Sequence, residues 1–169
     1  MIIATMMIVP AVATAAVMVN DTVSVSVSNT GVNSVYLEKG TGYKTAHSLG
    51  YFTVAGNNRK YSNLTLEIND VNGTGNMSMT NVLELTGSVA TGRYVNVTIT
   101  ADLPTGIYLY CNSAPSTITP GSSITGTNLS TSGSFTIQMK TGMDVYFSFL
   151  VLGGSKGTGS MTLSYTATS

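Results

Sequence analysis

The sequence predicts an all-β fold, a sandwich or barrel of short strands, preceded by an extended apolar N-terminal segment. Three observations lead there. Apolar and polar residues alternate with a two-residue period through most of the chain, the mark of strands with one buried face. Clusters of Gly, Asn and Ser separate these runs at short spacing, as in sandwiches and barrels. The first nineteen residues, Met1 to Val19, carry no charged side chain and are almost wholly apolar.

In chain order, Val23, Val25 and Val27 alternate with Ser24, Ser26 and Ser28, and Asn29-Thr30-Gly31 reads as a turn. Val35 and Leu37 mark a short strand, and Tyr51 to Val54 another. Leu64, Leu66 and Ile68 alternate with Thr65 and Glu67, and Val71-Asn72-Gly73-Thr74-Gly75 reads as a turn. Met77 and Met79 follow, then Val95, Val97 and Ile99, then Ile107, Leu109 and Cys111 on one face of a further strand. Asn112 to Ser134 reads as a long loop. Phe135, Ile137 and Met139 alternate again, Asp144 to Leu152 is apolar on more than one face as in a central strand, and Met161, Leu163 and Tyr165 form the last row. The expectation is nine or ten strands, no helix, and two parts: residues 1–21 as the donor strand and residues 22–169 as one sandwich domain.

Charged residues are 8% of the chain, against roughly 25% in ordinary soluble domains. Formal net charge is zero, which favours association over repulsion. No basic patch serves nucleic acid, and the nine Tyr form no stacking series with basic residues. Cys111 is the only cysteine, so no internal disulfide can form; its strand position predicts a buried thiol.

Three conformations compete for the leading segment. As a cleaved signal peptide it offers an apolar stretch and a small-residue Ala13-Thr14-Ala15 site, but no Lys or Arg precedes it; it is expected to stay in the working protein. As a helix, nineteen residues span about 29 Å at ~1.5 Å each, but Pro10 sits at the centre and Val, Ile and Thr favour strands. As extended chain, Pro10 divides two apolar strands of nine residues, each apolar on both faces. Such a strand must join a sheet edge, and β-strand addition between subunits supplies one. Its anchors would be Ile2, Ile3, Met6, Ile8, Val9, Val12, Val17 and Val19. The expected acceptor groove is lined by the inward rows Phe135, Ile137, Phe147, Phe149, Leu163 and Tyr165.

Six Asn-x-Ser/Thr triplets begin at Asn20, Asn63, Asn72, Asn76, Asn96 and Asn128. Asn63, Asn76 and Asn96 fall on polar faces of expected strands, where a glycan can be held. Catalytic chemistry finds little support. His47 is the only histidine and reads as an exposed loop residue, with no zinc motif or nucleophile elbow around it. Asp70-Val71-Asn72-Gly73 opens like a calcium loop but lacks the later Glu, so it reads as a turn. The nine Met residues read as core filling, with Met77, Met79, Met139 and Met161 on apolar faces. No catalytic residue, metal or cofactor is expected.

Asn81-Val82-Leu83-Glu84-Leu85-Thr86, Asp102-Leu103-Pro104-Thr105-Gly106-Ile107, Asp144-Val145-Tyr146-Phe147-Ser148-Phe149 and Gly159-Ser160-Met161-Thr162-Leu163-Ser164-Tyr165-Thr166-Ala167 together resemble the TasA/camelysin-like surface filament proteins. The likeness is nearest to archaeal bundling-pilus and thread subunits, and is sharpest after Asn81. It implies a jelly-roll-like sandwich and polymerisation in which one subunit's N-terminal strand completes the next subunit's sheet. The protease label given to camelysin-like proteins is not carried over, because no residues here match a protease motif. The expectation is therefore a structural subunit of an extracellular, archaeal-type filament acting in adhesion, bundling or biofilm formation. Its partners would be identical subunits in a helical polymer, neighbouring filaments and N-linked glycans. Two alternatives remain: a type IV-like archaeal pilin with residues 1–19 as a core helix, and a secreted carbohydrate-binding β-sandwich module.

Overall fold

The computed structural model describes residues 23–29, 35–55, 64–69, 75–118, 123–155 and 157–168. The leading segment with all eight donor-strand anchors, the sequons at Asn20, Asn63 and Asn72, and the Asp70-Val71-Asn72-Gly73 turn lie outside them.

The described residues form two β-sheets face to face. Eleven strands follow the chain: β1 Val23–Asn29, β2 Val35–Lys39, β3 Phe52–Ala55, β4 Leu64–Ile68, β5 Met77–Gly87, β6 Tyr94–Asp102, β7 Ile107–Asn112, β8 Thr127–Asn128, β9 Ser134–Met139, β10 Asp144–Val151 and β11 Thr158–Thr168. Two short helices are added, α1 Tyr43–Ser48 and α2 Leu129–Ser132. Sheet A has the order β3-β4-β1-β11-β6-β9 and sheet B the order β2-β5-β10-β7-β8. Every pairing is antiparallel except β1 with β11, which is parallel.

Alternation produces the core directly. On sheet A, Tyr165, Val97 and Ile137 lie in one cross-strand row and Leu163, Ile99 and Phe135 in the next. On sheet B, Leu37, Leu85 and Val145 share a row, as do Leu83, Phe147 and Cys111. The two inner faces meet, for example, where Phe52 of β3 stands 5.7 Å from Phe149 of β10, ring to ring. All these residues except Phe135, Ile137 and Tyr165 belong to the buried core. Full burial of such side chains, at about 1.5–3 kcal/mol each, is the main force holding the layers together.

The helices differ from the expected strand-and-loop pattern. Each sits where the chain passes from the edge of sheet B to the edge of sheet A: α1 joins β2 to β3, and α2 joins β8 to β9. Residues 112–134 are thus not one loop, since β8 and α2 lie inside that stretch. Asn128 caps α2 by accepting the Ser130 N–H at 2.9 Å, and Gly133 ends it at φ 70°. Leu129 is fully buried, so α2 closes one seam of the sandwich as a plug. At the other seam α1 buries Ala46.

Candidate strand-acceptor edges

A strand-accepting site needs unpaired backbone and apolar walls. Sheet edges supply the first, so among the described residues the candidates lie along β9 and β3 in sheet A and along β2 and β8 in sheet B.

Edge strand β9 pairs continuously with β6, from Val95 opposite Met139 to Thr100 opposite Ser134. Its sequence, Ser-Phe-Thr-Ile-Gln-Met, holds no Lys, no Pro and no bulge, the devices that usually protect an exposed edge. Phe135 and Ile137 point inward and are half-buried, while Thr136 and Gln138 face solvent. The residues expected to line an acceptor therefore divide. Phe135, Ile137 and Tyr165 lie in adjacent rows near this edge, half-buried. Phe147, Phe149 and Leu163 do not line an open groove: each has 0% exposure. They sit on the central strands β10 and β11, covered by the opposite sheet, so the correction follows from their place in the middle of the layers.

A second edge was not anticipated. β2 covers only the C-terminal half of β5, from Lys39 opposite Leu83 to Val35 opposite Gly87. At Gly40 the chain turns away into α1. The turn is held by two backbone bonds, Gly40 N–H to Val82 O at 3.0 Å and Gly42 N–H to Asn81 O at 2.9 Å. Gly42 lies so close to β5 that a Cβ would collide with the Thr80 carbonyl oxygen. Below this point, among the described residues, no strand pairs with Met77–Thr80 on the β2 side. A cleft of about 280 Å³ opens there, lined by Gly42, Thr45, Ala46, Leu49, Tyr51 and the four consecutive residues Met77 to Thr80. Four consecutive lining residues mean that the cleft meets the strand edge-on, because successive side chains point to opposite faces. Leu49 stands 60% exposed on its rim, and Met77 is half-buried.

Asn81 fixes this edge. It lies in a bulge where β5 uses four residue steps, Met79 to Leu83, against two on β10, Phe149 to Phe147. Its φ is 52°, a left-handed conformation that Asn tolerates better than most residues. Asn81 N–H donates to Ser148 Oγ at 2.9 Å, Asn81 Nδ2 donates to Ser116 O at 2.8 Å, and Ser116 N–H donates to Asn81 Oδ1 at 2.9 Å. All three residues are buried. Sequence reading took Asn81 only as the start of a resembling stretch and passed over Leu49 and the Gly40-Thr41-Gly42 turn; the closely spaced glycines after a strand were the available signal.

The other expected positions are placed as follows. Asn76 is exposed just before β5. Asn96 is on the solvent face of sheet A opposite Gln138, and Asn128 caps α2. His47 is exposed, but on α1 and not in a loop: its ring stacks on Tyr43 at 5.2 Å, and Lys39 Nζ lies 4.3 Å from the centroid of the same Tyr43 ring. Cys111 is buried and free, and burial pushes its thiol well above the ordinary range. On the outer face of sheet B, Glu38 lies opposite Glu84, and Thr86 Oγ1 donates to Glu38 Oε1 at 3.1 Å. Burial first, then the charges of Asp144 and Glu38, raise the Glu84 carboxyl above its usual value. Among the described residues no group of three or more His, Cys, Asp or Glu could hold a metal ion, and no helix is long and apolar enough to cross a membrane. Comparison of the chain with family models, with characterised proteins and with solved structures finds no match.

Proposed function

We propose that this chain is a structural subunit of an extracellular filament or pilus of archaeal type, assembled by donor-strand complementation and serving adhesion, bundling or biofilm formation. The observation that carries this reading joins one end of the chain to the surface of the domain. Residues 1–19 are almost wholly apolar and uncharged, and among the described residues the sandwich leaves sheet edges without the usual protection, β9 by sequence and β5 by the early departure of β2. An apolar strand needs a partner edge, and an unprotected edge invites one. The leading segment of one copy, added to a sheet of the next, meets both needs. Such a contact is heterologous and does not close on itself, so it builds an open helical fibre.

Burying the eight anchor side chains of the segment would contribute a gross ~12–24 kcal/mol at ~1.5–3 kcal/mol each. Ordering the segment and joining two bodies offset part of that, and the remainder corresponds to slow dissociation. Glycans on exposed sequons such as Asn76 would supply the solubility that a surface so poor in charge lacks. Deleting residues 1–19 tests the reading. The truncated chain is expected to fold with the β-rich circular dichroism of the full chain and to form no filaments by negative-stain electron microscopy. Normal filaments from the truncation would refute it.

A further inference from the structure

We infer that the cleft between α1 and the uncovered edge of β5 is the seat for the first half of the leading segment, Met1–Val9, of a second copy of this chain. The inference rests on the filament reading and names its acceptor.

Two edges compete, and the chemistry of the segment separates them. Met1–Val9 is apolar on both strand faces. A strand added to β9 would continue sheet A, whose outer face beside β9 carries Thr136 and Gln138; half of its apolar side chains would stay in water. At the cleft the outer face of β5 likewise carries polar side chains, Ser78 and Thr80, but α1 and the chain leaving it add a second set of apolar lining residues, Ala46, Leu49 and Tyr51, to Met77 and Met79 of the strand. None of its lining residues is charged, which suits a segment without charge. A further cleft, near the far end of β5, includes Arg93 and Lys140 and lacks that match. The strand edge Met77–Thr80 supplies backbone groups to pair with the incoming chain, which would continue the line that β2 abandons at Lys39.

The length of chain outside the described residues is sufficient. Thirteen residues, 10–22, separate the seated half from β1, and extended they reach ~43 Å at ~3.3 Å each. The eleven-residue β5, which runs the length of the sandwich, measures ~36 Å on the same scale. The connection can therefore pass one whole subunit, as a head-to-tail fibre requires.

Cysteine pairing tests the seat. Full-length protein carrying Leu49→Cys is mixed with full-length protein carrying Ile3→Cys, Met6→Cys or Ile8→Cys, and the mixture is oxidised gently. Buried Cys111 stays in place in all. A disulfide formed in the mixture is between copies by construction. The expected result is a cross-linked dimer with at least one leader position, and a ladder of multimers when both cysteines are in one chain. No dimer with any of the three, pairing with Gln138→Cys on β9 instead, or a disulfide confined within single chains would overturn the inference. A second variant needs no cross-link. Leu49→Lys changes an exposed side chain and should leave urea unfolding unchanged, yet lower the pelleted filament yield at least about tenfold, because an unpaired charge in an apolar seat costs more than one decade of affinity. Gln138→Lys should leave the yield unchanged. Undiminished filaments from Leu49→Lys would overturn the seat while leaving the filament reading intact. A wild-type chain that forms no filaments would overturn that reading, and the mixed-cysteine result would still decide the seat.

Discussion

Asn81 holds a left-handed backbone position, with φ 52°, and both polar ends of its side chain bond to the backbone of Ser116. Replacing it by Ala removes two buried hydrogen bonds, and leaves the Ser116 N–H and carbonyl unpaired at about 1–3 kcal/mol each, while the left-handed conformation adds ~1–2 kcal/mol for a residue with a Cβ. Asn81→Ala is therefore expected to destabilise the fold by about 3–5 kcal/mol, and Asn81→Gly, which lifts only the backbone strain, by about 1 kcal/mol less. Urea midpoints of the two variants check the order; equal midpoints would mean that the φ angle carries no strain. Glu84 presents the opposite case, a side chain whose charge works against the fold. Burial, then Asp144 and Glu38, raise its carboxyl, so the folded state takes up a proton more readily than the unfolded chain. Stability from this group is complete below the ordinary carboxyl value and is lost as pH rises through the raised one. Because Glu84 is partly in solvent, screening limits the cost. Glu84→Gln is expected to stabilise the protein at pH 7 by a few tenths of a kcal/mol, the lower end of the range for like charges opposite each other in a sheet. The gain should vanish near pH 3, and thermal unfolding at the two pH values measures it.

Helix α2 has four residues, far too few to persist alone, since isolated helices shorter than ~12–15 residues are marginal in water. Its Asn128 cap, the αL residue Gly133 and the buried Leu129 hold it between β8 and β9. Leu129→Ala should cost about 2–5 kcal/mol as a core truncation, and by opening that seam it should speed hydrogen exchange in β7 and β9 before β2 and β5. Uniform exchange would show that α2 is not a plug. The same element shows how far the sequence can be read. Strands such as Val95–Ile99 and Met161–Tyr165 were legible because alternation records burial on one face, whatever the strand's neighbours. α2 was not, because four residues give no helical period and its burial depends on which strands flank it. The parallel pairing of β1 with β11 was illegible for a related reason: the partners are more than a hundred residues apart, and alternation says nothing about pairing order. Of the expected acceptor, Phe135 and Ile137 were placed near an edge and Phe147, Phe149 and Leu163 were not, since an inward row looks alike in a central and an edge strand. The cleft beside β5 exists only because β2 stops at Lys39, and only the glycine pair at Gly40 and Gly42 hinted at that.

At the scale of the molecule, the low charge and the apolar leader act together. With formal net charge zero, copies of this chain neither repel nor steer one another strongly, so long-range electrostatics contributes little to assembly. In the proposed filament, contact between copies would then depend on apolar burial, a force that salts do not screen and that some strengthen. Charge-based contacts behave differently, because at 1 M salt the screening length falls to about 3 Å. The proposed filaments are accordingly expected to stay intact from about 0.05 M to 2 M sodium chloride, conditions spanning a wide range of screening, and to grow more resistant in sodium sulfate. Sedimentation of assembled material across that series checks the point. Release of subunits at high sodium chloride would assign the contact to ion pairs, for which the uncharged residues 1–19 have no groups to offer, and would exclude the leading segment as the link between copies.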